Sequence, residues 1–252
     1  MAMSVSLCLN ADLGEMPGEE GRALDAAMLE VVTRCNIACG GHAGDADIMR
    51  ETVRRALANG VQIGAHPSYP DICNFGRRSL QIAPKDLLVS LTRQTKLLVE
   101  IAASEGARVV HLKAHGALYN DAARDERLAL LVARVAHDAG LREIVGPPGS
   151  RLEAAARAAG LEFIAEGFAD RTYEADGSLT PRSIEGAVID QPEVVLAQAI
   201  AFAKDGLVAT RGGGRLDLPI RTLCLHSDTP GADKNANAIR AGLEQAGVLV
   251  RA

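Results

Sequence analysis

Short apolar runs alternate along the chain with longer stretches whose apolar residues recur every three or four positions. The first pattern predicts buried strands and the second predicts amphipathic helices. Strands are expected over residues 5–9, 35–39 and 61–65, from 109 until Gly116 ends the run, and over 143–145, 161–165 and 222–225. The first helix is expected over 21–33, with Leu24, Met28 and Val32 on one face. Asp45 can cap a second, with Met49, Val53 and Ala56 as its stripe and Gly60 as its stop. A third runs from Pro84 to Gly106 through Leu88, Leu91, Leu98 and Ala102. Others are expected over 122–139, over an Ala-rich stretch opened by a Ser150/Glu153 capping box, and over 192–204 and 233–246. Residues 67–83 and 168–191 read as long loops, and 211–215 (Arg-Gly-Gly-Gly-Arg) as a flexible turn.

Strand and helix in strict alternation predict a parallel sheet with crossover helices. About seven such units favour an α/β fold of one domain, residues 1–252: a (β/α) barrel, complete or incomplete, rather than an open doubly wound sheet. No GxGxxG follows the first strand and no GxxxxGK[ST] occurs anywhere, which argues against the nucleotide-binding folds.

Within the fourth strand, His111, Lys113 and His115 share one face and Val110, Leu112 and Ala114 the other. An apolar outer face with a basic inner one suits a barrel strand whose inner face climbs into a polar pocket. Barrel enzymes build their sites at the C-terminal ends of strands, and polar residues gather at those ends here. The first strand leads to Asn10, Asp12 and Glu15, the second to Asn36 and His42, and the third to His66. The sixth leads to Glu166, Asp170 and Arg171, and the seventh to His226 and Asp228. Five of the six histidines lie in or just after a strand, and only His137 falls in a helix, as a surface residue. One such histidine alone would be a hydrogen-bonded structural residue, and Asp12 or Asp228 alone would be a cap; the joint pattern points to a shared pocket. Tyr69, Phe75, Tyr119, Phe168 and Tyr173 fall in strand-to-helix loops, where they can cover a substrate or pin the loops. Imidazoles and carboxylates together support a metal site, with Asp12, His42 and His66 as candidates, or general acid–base chemistry. Lys113, Arg77, Arg78, Arg171 and Arg182 offer cations for an anionic substrate, although Arg77 and Arg78 read equally as solvated loop charges.

Composition narrows the class. The chain is 48% hydrophobic and 23% charged, with a net charge of −5, which suits a globular core and excludes a basic nucleic-acid footprint. No apolar run reaches membrane-spanning length, and the N-terminus lacks the basic region of a signal peptide. Five scattered cysteines, an odd number, read as reduced residues of a cytoplasmic protein.

The stretches LNADLGE (9–15), NIACGGHAGD (36–45), GAHPSYPD (64–71), FGRR (75–78), LKAHGALYN (112–120), FADRTYEADGSLTPR (168–182) and HSDTP (226–230) resemble the LamB/YcsF family across nearly the whole chain. Gly41 stands where that family usually has an aromatic, Ala114 where it has proline, and Ser227 where it has glycine. The resemblance implies a deformed barrel of the glycoside hydrolase/deacetylase type. It also implies an ATP-hydrolysing 5-oxoprolinase that opens 5-oxoproline to L-glutamate with partner subunits B and C. ATP and a divalent metal are then the expected cofactors. The catalytic set would be Asp12, His42, His66, Lys113, His115, His226 and Asp228, with Lys113 holding a substrate carboxylate or phosphate. Asn10, Glu15, Asn36, Tyr69, Arg77, Arg78, Tyr119, Glu166, Asp170 and Arg171 would contact substrate. The loop 168–182 would be a lid or a partner contact. Two alternatives stay open: a stand-alone metal-dependent amidase or deacetylase-like hydrolase, and a non-catalytic component that binds a small acid. Homo-oligomerisation is open as well.

Overall fold

The computed structural model describes residues 5–225 and 231–252. In chain order the elements are β1 (Ser6–Leu13), α1 (Gly18–Leu29), β2 (Arg34–Ala38), α2 (Ala46–Ala58), β3 (Gln62–His66), α3 (Pro84–Ser104), β4 (Val109–Lys113), α4 (Gly116–Arg124), α5 (Glu126–Asp138), β5 (Glu143–Gly146), α6 (Arg151–Ala158), β6 (Glu162–Phe168), α7 (Pro192–Asp205), β7 (Leu207–Ala209), β8 (Arg215–Asp217), β9 (Thr222–Cys224), α8 (Ala232–Gln245) and β10 (Leu249–Val250). β1 to β6 pair in sequence order, all parallel, and β9 lies between β6 and β1 to close a seven-stranded barrel. β10 pairs with Ser6 and Leu7 on the β1 edge that β9 then takes over at Cys8, so the N-terminal end of that edge is covered too.

The strands alternate as barrel strands must. Leu7, Leu9, Ala11 and Leu13 are buried in the apolar core together with helix residues such as Met28, Met49 and Val53. The opposite face of β1 reaches across the barrel. Cys8 accepts from Arg34, which pairs with Glu143, while Asn10 and Asp12 meet Asn36, Lys113 and Glu166. The barrel interior is therefore filled by a hydrogen-bonded polar stack, where branched apolar residues would be usual. Such a stack is tolerable only when its members bond one another.

The expected alternation of strands and helices is found, with local differences that include the added strand β10 and an earlier α1. β1 runs on to Leu13, so Asn10 and Asp12 lie within the strand. The helix expected over 122–139 is two helices broken at Asp125, whose extended backbone (φ −102°, ψ 115°) ends α4 and whose side chain caps α5 by accepting from Arg127 and Leu128 N–H. Tyr119 accordingly sits in α4 and not in a loop. The Arg-Gly-Gly-Gly-Arg turn joins the antiparallel hairpin β7–β8 and is fastened by Thr210, whose N–H donates to Gly214 and whose hydroxyl accepts from it. Asp45 caps α2 as expected, and Ser150 caps α6 while Glu153 reaches back to the Gly149 N–H. Cys8, Cys35, Cys39 and Cys224 are buried, Cys73 is exposed, and all five are free. Among the described residues no helix is long and apolar enough to cross a membrane.

Candidate functional site

Two groups of side chains meet at the C-terminal mouth of the barrel. The first is a charged network around Lys113. Its ammonium donates to Asp12 (3.0 Å) and lies 2.9 Å from Glu166, 3.3 Å from Asn10 Oδ1 and 3.2 Å from the Cys224 sulfur. Asn36 donates to both Asn10 and Asp12 at 2.8 Å, and His111 Nε2 donates to Asn36 Oδ1 at 2.8 Å. Asn10 donates onward to Glu166 (3.0 Å) and Thr222 (2.9 Å). Burial alone would raise the Asp12 carboxyl, but the neighbouring His66 and Lys113 outweigh it and hold the acid well below its ordinary range. Burial likewise disfavours the Lys113 ammonium, and Asp12 and Glu166 reverse that and raise it well above its usual value. Of the three mouth carboxylates, Asp12 keeps 22% of its side chain accessible, against 9% for Glu15 and none for Glu166.

The second group adjoins Asp12. His66 Nε2 lies 3.3 Å from Asp12 Oδ2, 3.6 Å from Glu15 Oε1 and 3.0 Å from His115 Nδ1. Glu15 Oε1 is also 3.1 Å from His115 Nδ1 and 2.8 Å from His42 Nε2. Glu15, His42, His66 and His115 thus bring donor atoms within 4.8 Å of one another, a set that could hold a metal ion. Burial disfavours ionisation of Glu15, but the adjoining His115 and His42 rings bring it down to about 2. His42 is pushed down to about 4 by burial, with His115 and His66 adding to the effect, so its ring is neutral at physiological pH. His66 is opposed by burial, yet Asp12 and Glu15 raise it.

Loop geometry fixes these rings. His66 ends β3, and the N–H of His115 donates to Pro67 O (2.9 Å), locking the two strand ends together. Gly116 follows with φ +58°, and a Cβ there would stand 2.5 Å from Gly76 O, so only glycine lets the two loops pass. Phe75 adopts φ +54°, unusual for a bulky residue, and in that conformation its carbonyl accepts from His115 Nε2 at 2.9 Å. At Gly41 a Cβ would lie 2.3 Å from Gln94 Oε1. Gln94 uses that room to clamp Ser68, accepting from its N–H and donating to its carbonyl.

The structure therefore brings together Asn10, Asp12, Glu15, Asn36, His42, His66, Lys113, His115 and Glu166. Tyr119 is buried beside Glu166 in a cavity of about 170 Å³ whose lining includes Phe168, Tyr173 and Leu179. Other expected contacts lie apart. The Tyr69 hydroxyl donates to Asp121 (2.9 Å), and Arg171 is buried with its guanidinium on the Ala187 and Thr180 carbonyls, fastening the 168–191 loop. Arg77 and Arg78 are exposed, with Arg77 over the Phe75 ring, and Asp170 precedes Arg171 in that fastened loop, its carbonyl accepting from Ile189. His226 and Asp228 lie outside the described residues. Of the three candidate metal ligands, His42 and His66 belong to the cluster; Glu15 and His115 complete it, and Asp12 belongs to the Lys113 network. His111, expected on the inward face of β4, joins the network through Asn36, and Thr222 and Cys224 are participants that strand-end reasoning passed over. The inward register of the last two on β9 was the available signal.

Residues 7–252 match the LamB/YcsF family. The chain is 46% identical over 251 residues to a 5-oxoprolinase subunit of Bordetella pertussis, covering 99% of this chain and all of that one. It superposes on the crystal structure of a lactam utilization protein from Thermus thermophilus with a TM-score of 0.89 at 38% identity, covering 98% and 99% of the two chains. A peptidoglycan deacetylase from Bacillus subtilis shares the fold alone, with a TM-score of 0.50 at 14% identity over 99% and 88% of the chains. Fold and end-to-end identity agree, and the chain belongs to the LamB/YcsF family.

Proposed function

We propose that this protein is the lactam-handling component of an ATP-dependent 5-oxoprolinase, opening 5-oxoproline to L-glutamate with partner subunits B and C. The observation that carries the reading is the 46% identity, over the full length of both chains, to a protein named as a 5-oxoprolinase subunit. A lactam is a poor electrophile, and its opening is coupled to ATP, which activates the amide oxygen. No phosphate-binding motif occurs in this sequence, so the nucleotide step is assigned to the partners.

The residues at the mouth suit the remaining chemistry. Asp12 Oδ1 is fixed by Asn36 and Lys113, and Oδ2 faces the imidazole cluster. Asp12 is ionised and accessible, so it takes the proton of the attacking water and returns it to the departing ring nitrogen. With the amide oxygen phosphorylated, water oxygen adds to the ring carbon and the carbon–nitrogen bond breaks to free the amine. A second water hydrolyses the resulting acyl phosphate to carboxylate and inorganic phosphate. Lys113 is engaged by two carboxylates; its role is to hold Asp12 ionised and aimed. The cavity beside Tyr119 and Phe168 has room for a five-membered lactam. Glu15, His66 and His115 would hold a divalent ion, which would supply Lewis acidity.

Reconstitution tests the proposal. Purified protein with subunits B and C, ATP and 5-oxoproline is expected to release glutamate, and omission of this chain is expected to abolish release. Glutamate release by the chain alone, without ATP, would favour a stand-alone hydrolase instead.

A further inference from the structure

Two backbone carbonyls decide which nitrogens of the histidine cluster are bare. His66 Nδ1 lies 2.8 Å from the Lys113 carbonyl, and His115 Nε2 lies 2.9 Å from the Phe75 carbonyl. A carbonyl only accepts, so each of these nitrogens carries its hydrogen there. With both rings neutral, the remaining nitrogens, His66 Nε2 and His115 Nδ1, present lone pairs to each other across 3.0 Å, with the Glu15 carboxylate beside both and Asp12 Oδ2 3.3 Å from His66 Nε2. Three electron-pair donors facing one centre do not satisfy one another; a cation between them does.

The spacing fits a particular cation. Zinc–nitrogen and zinc–oxygen bonds of about 2.0–2.1 Å in a tetrahedron put neighbouring ligand atoms about 3.3–3.4 Å apart. The three separations here are 3.0, 3.1 and 3.6 Å. Two imidazoles and one carboxylate is also a donor set that leaves a fourth position open, and it favours a borderline transition metal over magnesium or calcium, which prefer oxygen. The outward hydrogen bonds of both rings to carbonyls are the supporting shell that orients such ligands.

His42 differs from its neighbours. Its ring is stacked on His115, with centroids 3.6 Å apart and planes 2° from parallel. Imidazole lone pairs lie in the ring plane, so two rings stacked this way do not aim at one ion. His42 Nε2 instead donates to Glu15 Oε1 at 2.8 Å.

We propose that Glu15 Oε1, His66 Nε2 and His115 Nδ1 bind one divalent transition-metal ion of the zinc class with a coordination position left open, and that His42 is a positioning residue which holds Glu15 and is not a fourth ligand. The inference stands apart from the substrate assignment, since it concerns only ion binding.

Metal titration of the full-length, chelator-stripped protein tests it without reference to activity. Zn(II) is expected to bind with one ion per chain, Co(II) to give a visible d–d spectrum at one equivalent, and millimolar Mg(II) to leave both unchanged. His66→Ala and His115→Ala are expected to abolish stoichiometric uptake. His42→Ala is expected to keep one ion per chain with affinity weakened about 10–100-fold, as for a supporting residue. Glu15→Gln, which preserves shape, carries the ligand arm if a histidine variant fails to fold by circular dichroism, and is expected to lose the Co(II) spectrum. Absence of stoichiometric binding by folded wild-type protein would mean that a shared proton alone occupies the gap, and would overturn the proposal. Loss of the ion from His42→Ala as complete as from His66→Ala would overturn the three-ligand assignment, as would displacement of Zn(II) by Mg(II).

Discussion

The Lys113 ammonium lies 3.0 Å from Asp12 and 2.9 Å from Glu166, with only 3% of its side chain accessible. It compensates two carboxylates at the barrel mouth. Lys113→Met removes the cation and leaves Asp12 and Glu166 facing each other. Breaking such a buried arrangement costs about 3–5 kcal/mol, so urea unfolding should show a loss of that size. A lysine that served only to bind substrate would leave stability unchanged on substitution.

Gly64 makes room for His111. A Cβ on Gly64 would fall 2.0 Å from His111 Nε2, the nitrogen that donates to Asn36. The ring is buried in the barrel and has nowhere to go, and the β3–β4 register already shifts at Ile63/Gly64. Gly64→Ala is expected to destabilise by about 2–4 kcal/mol through overpacking and the lost hydrogen bond. In a double-mutant cycle, His111→Ala should cost less in the Gly64→Ala background than in wild type. Additive costs would show that the two residues do not compete for the same space.

Asp25 sets a pH dependence of stability. Burial pushes its carboxyl up to about 6 from an unfolded value of 3.8, even though it accepts a hydrogen bond from Gly14 N–H at 2.8 Å. The folded state therefore holds a proton that the unfolded state has released between about pH 4 and 6. Stability from this group is full below pH 4 and is lost as pH rises through 6, a change of about 3 kcal/mol in all, of which about 2 kcal/mol falls between pH 4 and 7. Asp12 and Glu15 act in the opposite sense, since both are lowered and lose their contribution under acid. The difference between wild type and Asp25→Asn isolates the first effect. Relative to the variant, wild type should lose about 2 kcal/mol from pH 4 to pH 7 in chemical unfolding, and a constant difference across that range would contradict the assignment.

Much of this was legible because barrel strands are short-range patterns. The alternation that puts Leu7, Leu9 and Ala11 outward puts Asn10 and Asp12 inward, and the polar strand ends mark the mouth. What the chain order hides is closure. His66 and His115 are 49 positions apart and meet only because β3 and β4 are neighbours whose following loops lock together. Glu15 lies two residues beyond the end of β1, where alternation no longer predicts direction. The break at Asp125 was hidden because the residues on both sides favour helix and the aspartate reads as an ordinary surface position until its extended backbone is seen. The commitment of Lys113 to two carboxylates arises from β1 and β6 crossing the barrel, which no local spacing reports.

The assignment of Asp12 as the proton carrier is the central claim, and Asp12→Asn tests it most directly. The substitution keeps an oxygen for Asn36 and the side-chain shape but removes the base. With subunits B and C, ATP and saturating 5-oxoproline, the variant should form glutamate about 100-fold or more slowly than wild type, while its far-UV spectrum stays the same. Glutamate formation at the wild-type rate by folded Asp12→Asn would contradict the account.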